Sequence, residues 1–128
     1  MHGRGEIWQM DIPSPQIVRQ VISRALLENL ARAGFGDMVK AVVDVSRGVM
    51  AIGAELHSDE EADLLTDGSR QTDLWGINLY PADEGESSIE FDSMINVRPG
   101  QGNRSRSVDD DATRQALRPI VDSLVSAA

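Results

Sequence analysis

Leu74-Trp75-Gly76-Ile77-Asn78-Leu79-Tyr80 and Ile89-Glu90-Phe91-Asp92-Ser93-Met94-Ile95-Asn96-Val97-Arg98 decide the fold. In the first stretch Trp75, Ile77 and Leu79 alternate with Gly76, Asn78 and Tyr80. In the second, Ile89, Phe91, Ile95 and Val97 alternate with Glu90, Asp92, Asn96 and Arg98, and only Ser93 and Met94 sit on the unexpected faces. A period of two sustained this long predicts strands with one buried and one polar face. The acidic connection 81–88 joins them as a hairpin, and Pro99-Gly100-Gln101-Gly102 ends the second strand.

A second hairpin is predicted upstream, over residues 38–45 and 49–57. Both runs are rich in valine, and Ser46-Arg47-Gly48 reads as a three-residue connection with glycine where positive φ is required. That turn sets Val45 opposite Val49, Val43 opposite Ala51 and Ala41 opposite Gly53. Continued outward, it sets Val39 opposite Glu55 and Asp37 opposite His57. Both faces are apolar near the turn, which places this hairpin centrally in a sheet.

Helices fill the remaining segments. Residues 17–21 read as a short strand, followed by a helix capped by Ser23 and striped with Leu26, Leu27 and Leu30. One long helix from Pro15 to Ala33 is the competing reading. Gly34 suits the left-handed position beyond the helix, with Phe35 folding back on it. Ser58 and Glu61 have capping-box spacing for a short helix carrying Leu64 and Leu65 and ending at Asp67-Gly68. A last helix, capped by Asp109 or Asp110, presents Leu117, Ile120, Val121 and Leu124, and Pro119 should kink or divide it. The fold class is α+β: a mainly antiparallel sheet of two hairpins and a short first strand, with two or three helices. The domain spans 17–128; residues 1–16 read as an arm without apolar period, in which Met10 is an alternative translation start.

Composition narrows the function. The chain has 128 residues, suited to one domain. It has no cysteine, which excludes disulfides, thiolate metal sites and cysteine catalysis. No apolar run is long enough to span a bilayer, and the first residues lack a signal peptide's apolar stretch, so a cytoplasmic location is expected. A net charge of −9 disfavours nucleic acid and anionic membranes as partners. Lys40 is the single lysine.

The strings at 35–44 (Phe-Gly-Asp-Met-Val-Lys-Ala-Val-Val-Asp), 55–57, 73–81, 89–99 and 102–106 resemble a family of small uncharacterised prokaryotic proteins grouped as a domain of unknown function. The resemblance covers residues 17–126 and implies a compact domain. It implies no substrate, cofactor or catalytic residue.

Three groups of residues carry candidate chemistry. Asp37, Glu55, His57 and Asp59 converge under the predicted register; carboxylates with a neutral imidazole suit a divalent metal, or an acid–base pair in which Asp37 orients His57. The plainer reading has Asp37 and Asp59 capping turns and His57 bonding locally. The polar hairpin face offers Asn78, Tyr80, Glu90, Asp92, Asn96 and Arg98, either as a ligand surface or as a solvated sheet face. Its asparagines are poor strand formers, and their amides suit an exposed backbone or a ligand. In the loop 100–107, Asn103, Arg104 and Arg106 are candidates for an anion, against an internal arginine–carboxylate clasp. Two functions follow: a non-enzymatic module binding a protein partner or a small ligand, or a metal-dependent hydrolase acting on phosphoesters.

Overall fold

The computed structural model describes residues 16–127. Its elements run β1 (Gln16–Val18), β2 (Ile22–Ser23), α1 (Arg24–Ala33), β3 (Val39–Asp44), β4 (Val49–Ile52), α2 (His57–Thr66), β5 (Leu74–Leu79), β6 (Ile89–Glu90), α3 (Asp111–Leu124) and β7 (Val125–Ser126). Five strands form one sheet in the order β1-β4-β3-β5-β6, each neighbouring pair antiparallel. β2 and β7 pair in parallel beside it. The fold is therefore α+β, with the valine-rich hairpin central as its two apolar faces require. The arm predicted over 1–16 lies outside the described residues, except that Gln16 already belongs to β1.

Side-chain alternation divides the core between the two faces of the sheet. Ala41, Val43, Met50, Ile52, Trp75, Ile77 and Leu79 face α1 and α3, where Leu27, Ala31, Leu117, Val121 and Leu124 cover them. Val42, Val49, Ala51 and Leu74 face the other way and meet Leu64 of α2. Each large aliphatic side chain buried in this way contributes about 1.5–3 kcal/mol. α2 covers only the β1-β4-β3 side of its face, and this leaves the polar ends of β3, β5 and β6 open above it.

The strand-then-helix reading of the first segment holds, with the Ser23 hydroxyl accepting from the Leu26 amide at 3.1 Å. Five local expectations are corrected. The turn of the first hairpin is longer than three residues: Asp44 pairs with Val49 and Val43 with Met50, one position away from the predicted register. The cause is Asp44, whose carboxylate accepts from the amides of Ser46 and Arg47 at 2.9 Å each, while Val45 N–H turns away to Asp73. Second, β4 ends at Ile52, so Glu55 and His57 are not strand residues and His57 does not face Asp37. α2 begins at His57 with Leu56 in the N-cap position, and the Ser58–Glu61 capping box does not form.

Third, the strand predicted over 89–98 is only Ile89–Glu90. Beyond it the chain leaves the ladder, Ser93 N–H bonds to Arg106, and Met94–Asn96 form a 3-10 turn. Asn96 replaces the missing strand: its Oδ1 accepts from Gly76 N–H at 2.8 Å and its Nδ2 donates to the Gly76 carbonyl at 2.9 Å. Gly76 is required there, since an added Cβ would lie 2.5 Å from the Ser93 Cβ. Fourth, Gly34 is not left-handed; Gly36 takes the positive φ of 100° and donates to Ala31. Phe35 remains exposed, under the Lys40 ammonium. Fifth, α3 runs through Pro119 without dividing, and Asp110 caps it through the amide and hydroxyl of Thr113.

Candidate functional site

The corrected register disperses the first candidate cluster. Asp37, Glu55 and Asp59 are exposed on separate segments, and His57 alone is buried. Among the described residues no group of three or more His, Asp or Glu side chains is placed to hold a metal ion.

His57 instead joins the polar hairpin face. As the first residue of α2 it points down onto the sheet, along with Glu60 and Leu64. Its Nε2 lies 2.8 Å from the Ile77 carbonyl, which can only accept, so Nε2 carries the proton and a neutral ring keeps its lone pair on Nδ1. Burial pushes the His57 pKa down, helped by the nearby Lys40 charge; the Ile77 carbonyl, Asn78 and Asp92 oppose this without reversing it.

Below the imidazole, Lys40 of β3, Asn78 of β5 and Glu90 of β6 occupy one cross-strand row. Their backbones are spaced by about 4.8 Å, so a cation, an amide and a carboxylate lie side by side on one face. Asn78 is 6% exposed. Its Nδ2 donates to Glu90 Oε1 at 2.9 Å and to the Asp92 carbonyl at 3.3 Å, both acceptors, which fixes the orientation of the amide. Asn78 Oδ1 is thereby left buried next to the His57 imidazole, with no hydrogen-bond partner of its own. Tyr80 donates to the same Glu90 oxygen at 3.1 Å, and burial followed by the Glu90 interaction raises its phenol pKa, with Asp37 adding to the effect from nearby.

These groups line a cleft of about 380 Å³ between the N-terminus of α2 and the β5–β6 edge. Met38, Leu56, Met94 and Ile95 supply its apolar walls, and Leu56 and Met94 are 53% and 65% exposed. Arg106 reaches the rim and pairs with Asp92 at 2.7 Å. Leu56 has no side-chain group to cap α2; the Asp59 amide turns back to the Leu56 carbonyl at 3.2 Å, and the His57 and Ser58 amides are left to solvent or a ligand.

The other candidates are structural. Asn96 is wholly buried in the backbone-mimicking role described above. Arg98 donates to the carbonyls of Gln71 and Leu74 at 2.5 and 2.6 Å and stacks on Trp75 at 4.2 Å, on the far side of the turn from the cleft. In the 100–107 loop the anion position is already filled. The Asp109 carboxylate accepts from the Arg104 amide and from Ser105, while Asn103, 3% exposed, ties Asn96, Ser105, Ser107 and Asp109 together. Arg104 contributes its backbone to this clasp, and Arg106 belongs to the cleft.

Sequence reasoning missed Lys40 and the cleft's apolar walls. The signal for Lys40 was available, because the chain's single lysine interrupts an otherwise apolar central strand. Glu60 was also missed. Buried on α2, it accepts from the Ala54 amide at 3.0 Å through Oε2, while Oε1 has no partner. Burial pushes its pKa up to about 9.

No helix of the described residues is long and apolar enough to cross a membrane. No curated protein and no solved structure matches the chain. A protein-family profile described as Protein of unknown function (DUF5674) matches residues 16–124, most of the chain, and the chain belongs to that family.

Proposed function

We propose that the protein is a non-enzymatic binding module whose cleft above the Lys40–Asn78–Glu90 row takes a small ligand. The observation that carries this reading is Asn78: a nearly fully buried amide on the cleft floor with an unpartnered carbonyl oxygen. Leaving such an acceptor unsatisfied costs about 1–3 kcal/mol, a cost that a bound donor removes. The cleft volume lies in the range of small-molecule sites, roughly 300–1,000 Å³, and its lining is mainly polar and charged, with the four apolar side chains along one side. Hydrogen bonds and an ion pair hold these groups in place for recognition: Nε2 of His57 against Ile77, one oxygen of Glu90 against Asn78 and Tyr80, and Asp92 against Arg106. The acidic net charge and the absence of a thiol fit a cytoplasmic module of this kind that leaves nucleic acid alone.

The methionines provide the test. Met38 and Met94 line the cleft, whereas Met50 is fully buried in the core. With methyl-labelled methionine, a chemically diverse fragment set should contain compounds that shift the Met38 and Met94 resonances and leave Met50 in place. Silence of both cleft methyls across the whole set would overturn the reading.

A further inference from the structure

We propose that the ligand of this cleft is a zwitterion of the amino-acid class with an apolar side chain, read by the Lys40–Asn78–Glu90 row. The inference rests on the binding reading above and adds the ligand's chemistry. Three observations converge on it.

The first is the order of charges. Lys40 pairs with Asn78 across β3 and β5, and Asn78 with Glu90 across β5 and β6, so opposite charges flank an amide on one face. Among the ion pairs of the described residues none joins Lys40 to Glu90. Their backbones are about 10 Å apart, two strand spacings, which leaves room for a molecule carrying the complementary pair of charges.

The second is the balance of donors and acceptors. At the Glu90 end the groups open to a ligand are acceptors: the Asn78 carbonyl oxygen, buried without a partner, and the exposed second oxygen of Glu90, with the Nδ1 lone pair of neutral His57 nearby. A ligand ammonium meets that demand. At the Lys40 end the groups are donors: the ammonium itself and the uncapped His57 and Ser58 amides of α2, where the positive end of the helix dipole adds to the attraction. A carboxylate meets these. Asn78 is the independent observation beside the helix terminus, since its empty acceptor demands a donor that an anion alone does not bring.

The third is the wall. Met38, Leu56, Met94 and Ile95 give the cleft an apolar side built largely from adaptable side chains, suited to a branched or unbranched aliphatic group. The paired charges of a free amino acid then lie along the row while its side chain lies against these residues.

Full-length protein with methyl-labelled methionine is titrated with three probes of one size: L-leucine, 4-methylpentanoate, which lacks the ammonium, and 3-methylbutylamine, which lacks the carboxylate. L-leucine should shift Met38 and Met94 saturably, and each truncated probe should bind roughly tenfold or more weakly, the loss expected for a charge-assisted contact. Lys40→Met and Glu90→Gln should each weaken L-leucine by a similar factor. Glu90→Gln keeps an acceptor for Asn78 and Tyr80, so the site's scaffold is preserved. Either truncated probe binding as tightly as L-leucine would overturn the zwitterion assignment and leave the cleft as a binding site. So would fragments that move the cleft methyls when L-leucine does not. Methyls silent to every fragment and every probe would overturn the binding reading and this inference together.

Discussion

At the scale of single residues, Asn96 has the largest structural role for its size. One amide side chain satisfies both backbone groups of Gly76 and also donates to the Arg106 carbonyl at 3.0 Å. Removing it strands buried polar groups that no water can easily reach, each at a cost of about 1–3 kcal/mol. Asn96→Ala should therefore destabilise the protein by roughly 2–4 kcal/mol, read as a fall in urea midpoint with unchanged slope. A loss below about 1 kcal/mol would mean that the turn relaxes to pair Gly76 in another way. Gly76→Ala tests the same junction from the opposite side, because the new methyl would collide with Ser93. It should cost about 1–3 kcal/mol as overpacking. Ser93→Gly should recover part of that loss in the double variant, since the two sites touch and their effects are not additive.

At the scale of elements, the N-terminus of α2 lacks a side-chain cap and borders the cleft. Leu56 holds the N-cap backbone conformation, φ −125° and ψ 136°, but has no side-chain oxygen for the His57 and Ser58 amides. Leu56→Asp supplies one and loses little packing, as Leu56 is mostly exposed. It should raise stability by about 0.5–1 kcal/mol, measured by urea unfolding, while its carboxylate competes with L-leucine for the same amides. Stabilisation without loss of leucine binding would show that the ligand does not use the helix terminus. The same element shows what was legible in sequence. Apolar periodicity located β3, β4, β5, α1 and α3, because burial on one face is written directly in residue spacing. It did not locate the cleft, because that depends on hydrogen-bond partners. Asp44 lengthens a turn by capping it, and this single carboxylate moves the register, while the end of β4 at Ile52 takes His57 into a helix and away from Asp37. Alternation over 89–98 held only at its start: it sets Val97 on the covered face and Asn96 on the polar one, whereas Val97 is exposed and Asn96 wholly buried, because Asn96 has taken over a strand's pairing. The misplaced Ser93 and the two asparagines were the visible marks of that exchange. β7 left no mark, being two residues paired only through their backbone with β2.

At the scale of the whole molecule, two buried titratable side chains on one face of α2 set the pH dependence of stability, with opposite signs. Glu60 is raised from 4.5 to about 9 in the folded protein. Between those values the folded state holds a proton that the unfolded chain has released, so stability falls as pH rises, by about 1.4 kcal/mol per unit. His57 is lowered from 6.5, chiefly by burial. Below 6.5 the unfolded chain takes up a proton that the folded state refuses, so this contribution is present above 6.5 and is lost as pH falls toward the folded value. The two slopes oppose each other in mild acid below pH 6.5, whereas well above it Glu60 acts alone. Urea denaturation should thus find a shallower pH dependence just below pH 6.5 than above it, where stability declines by about 1.4 kcal/mol per unit toward pH 9. Glu60→Gln imitates the protonated carboxyl, keeps an acceptor for the Ala54 amide and removes the titration. That variant should be more stable than wild type at pH 8.5, flat on the alkaline side, and newly sensitive to acid below pH 6.5 because His57 is then unopposed. A wild-type protein equally stable at pH 7 and pH 8.5 would show that the Glu60 carboxylate finds a partner on ionising, the nearby Lys40 ammonium being the group in reach of its charge.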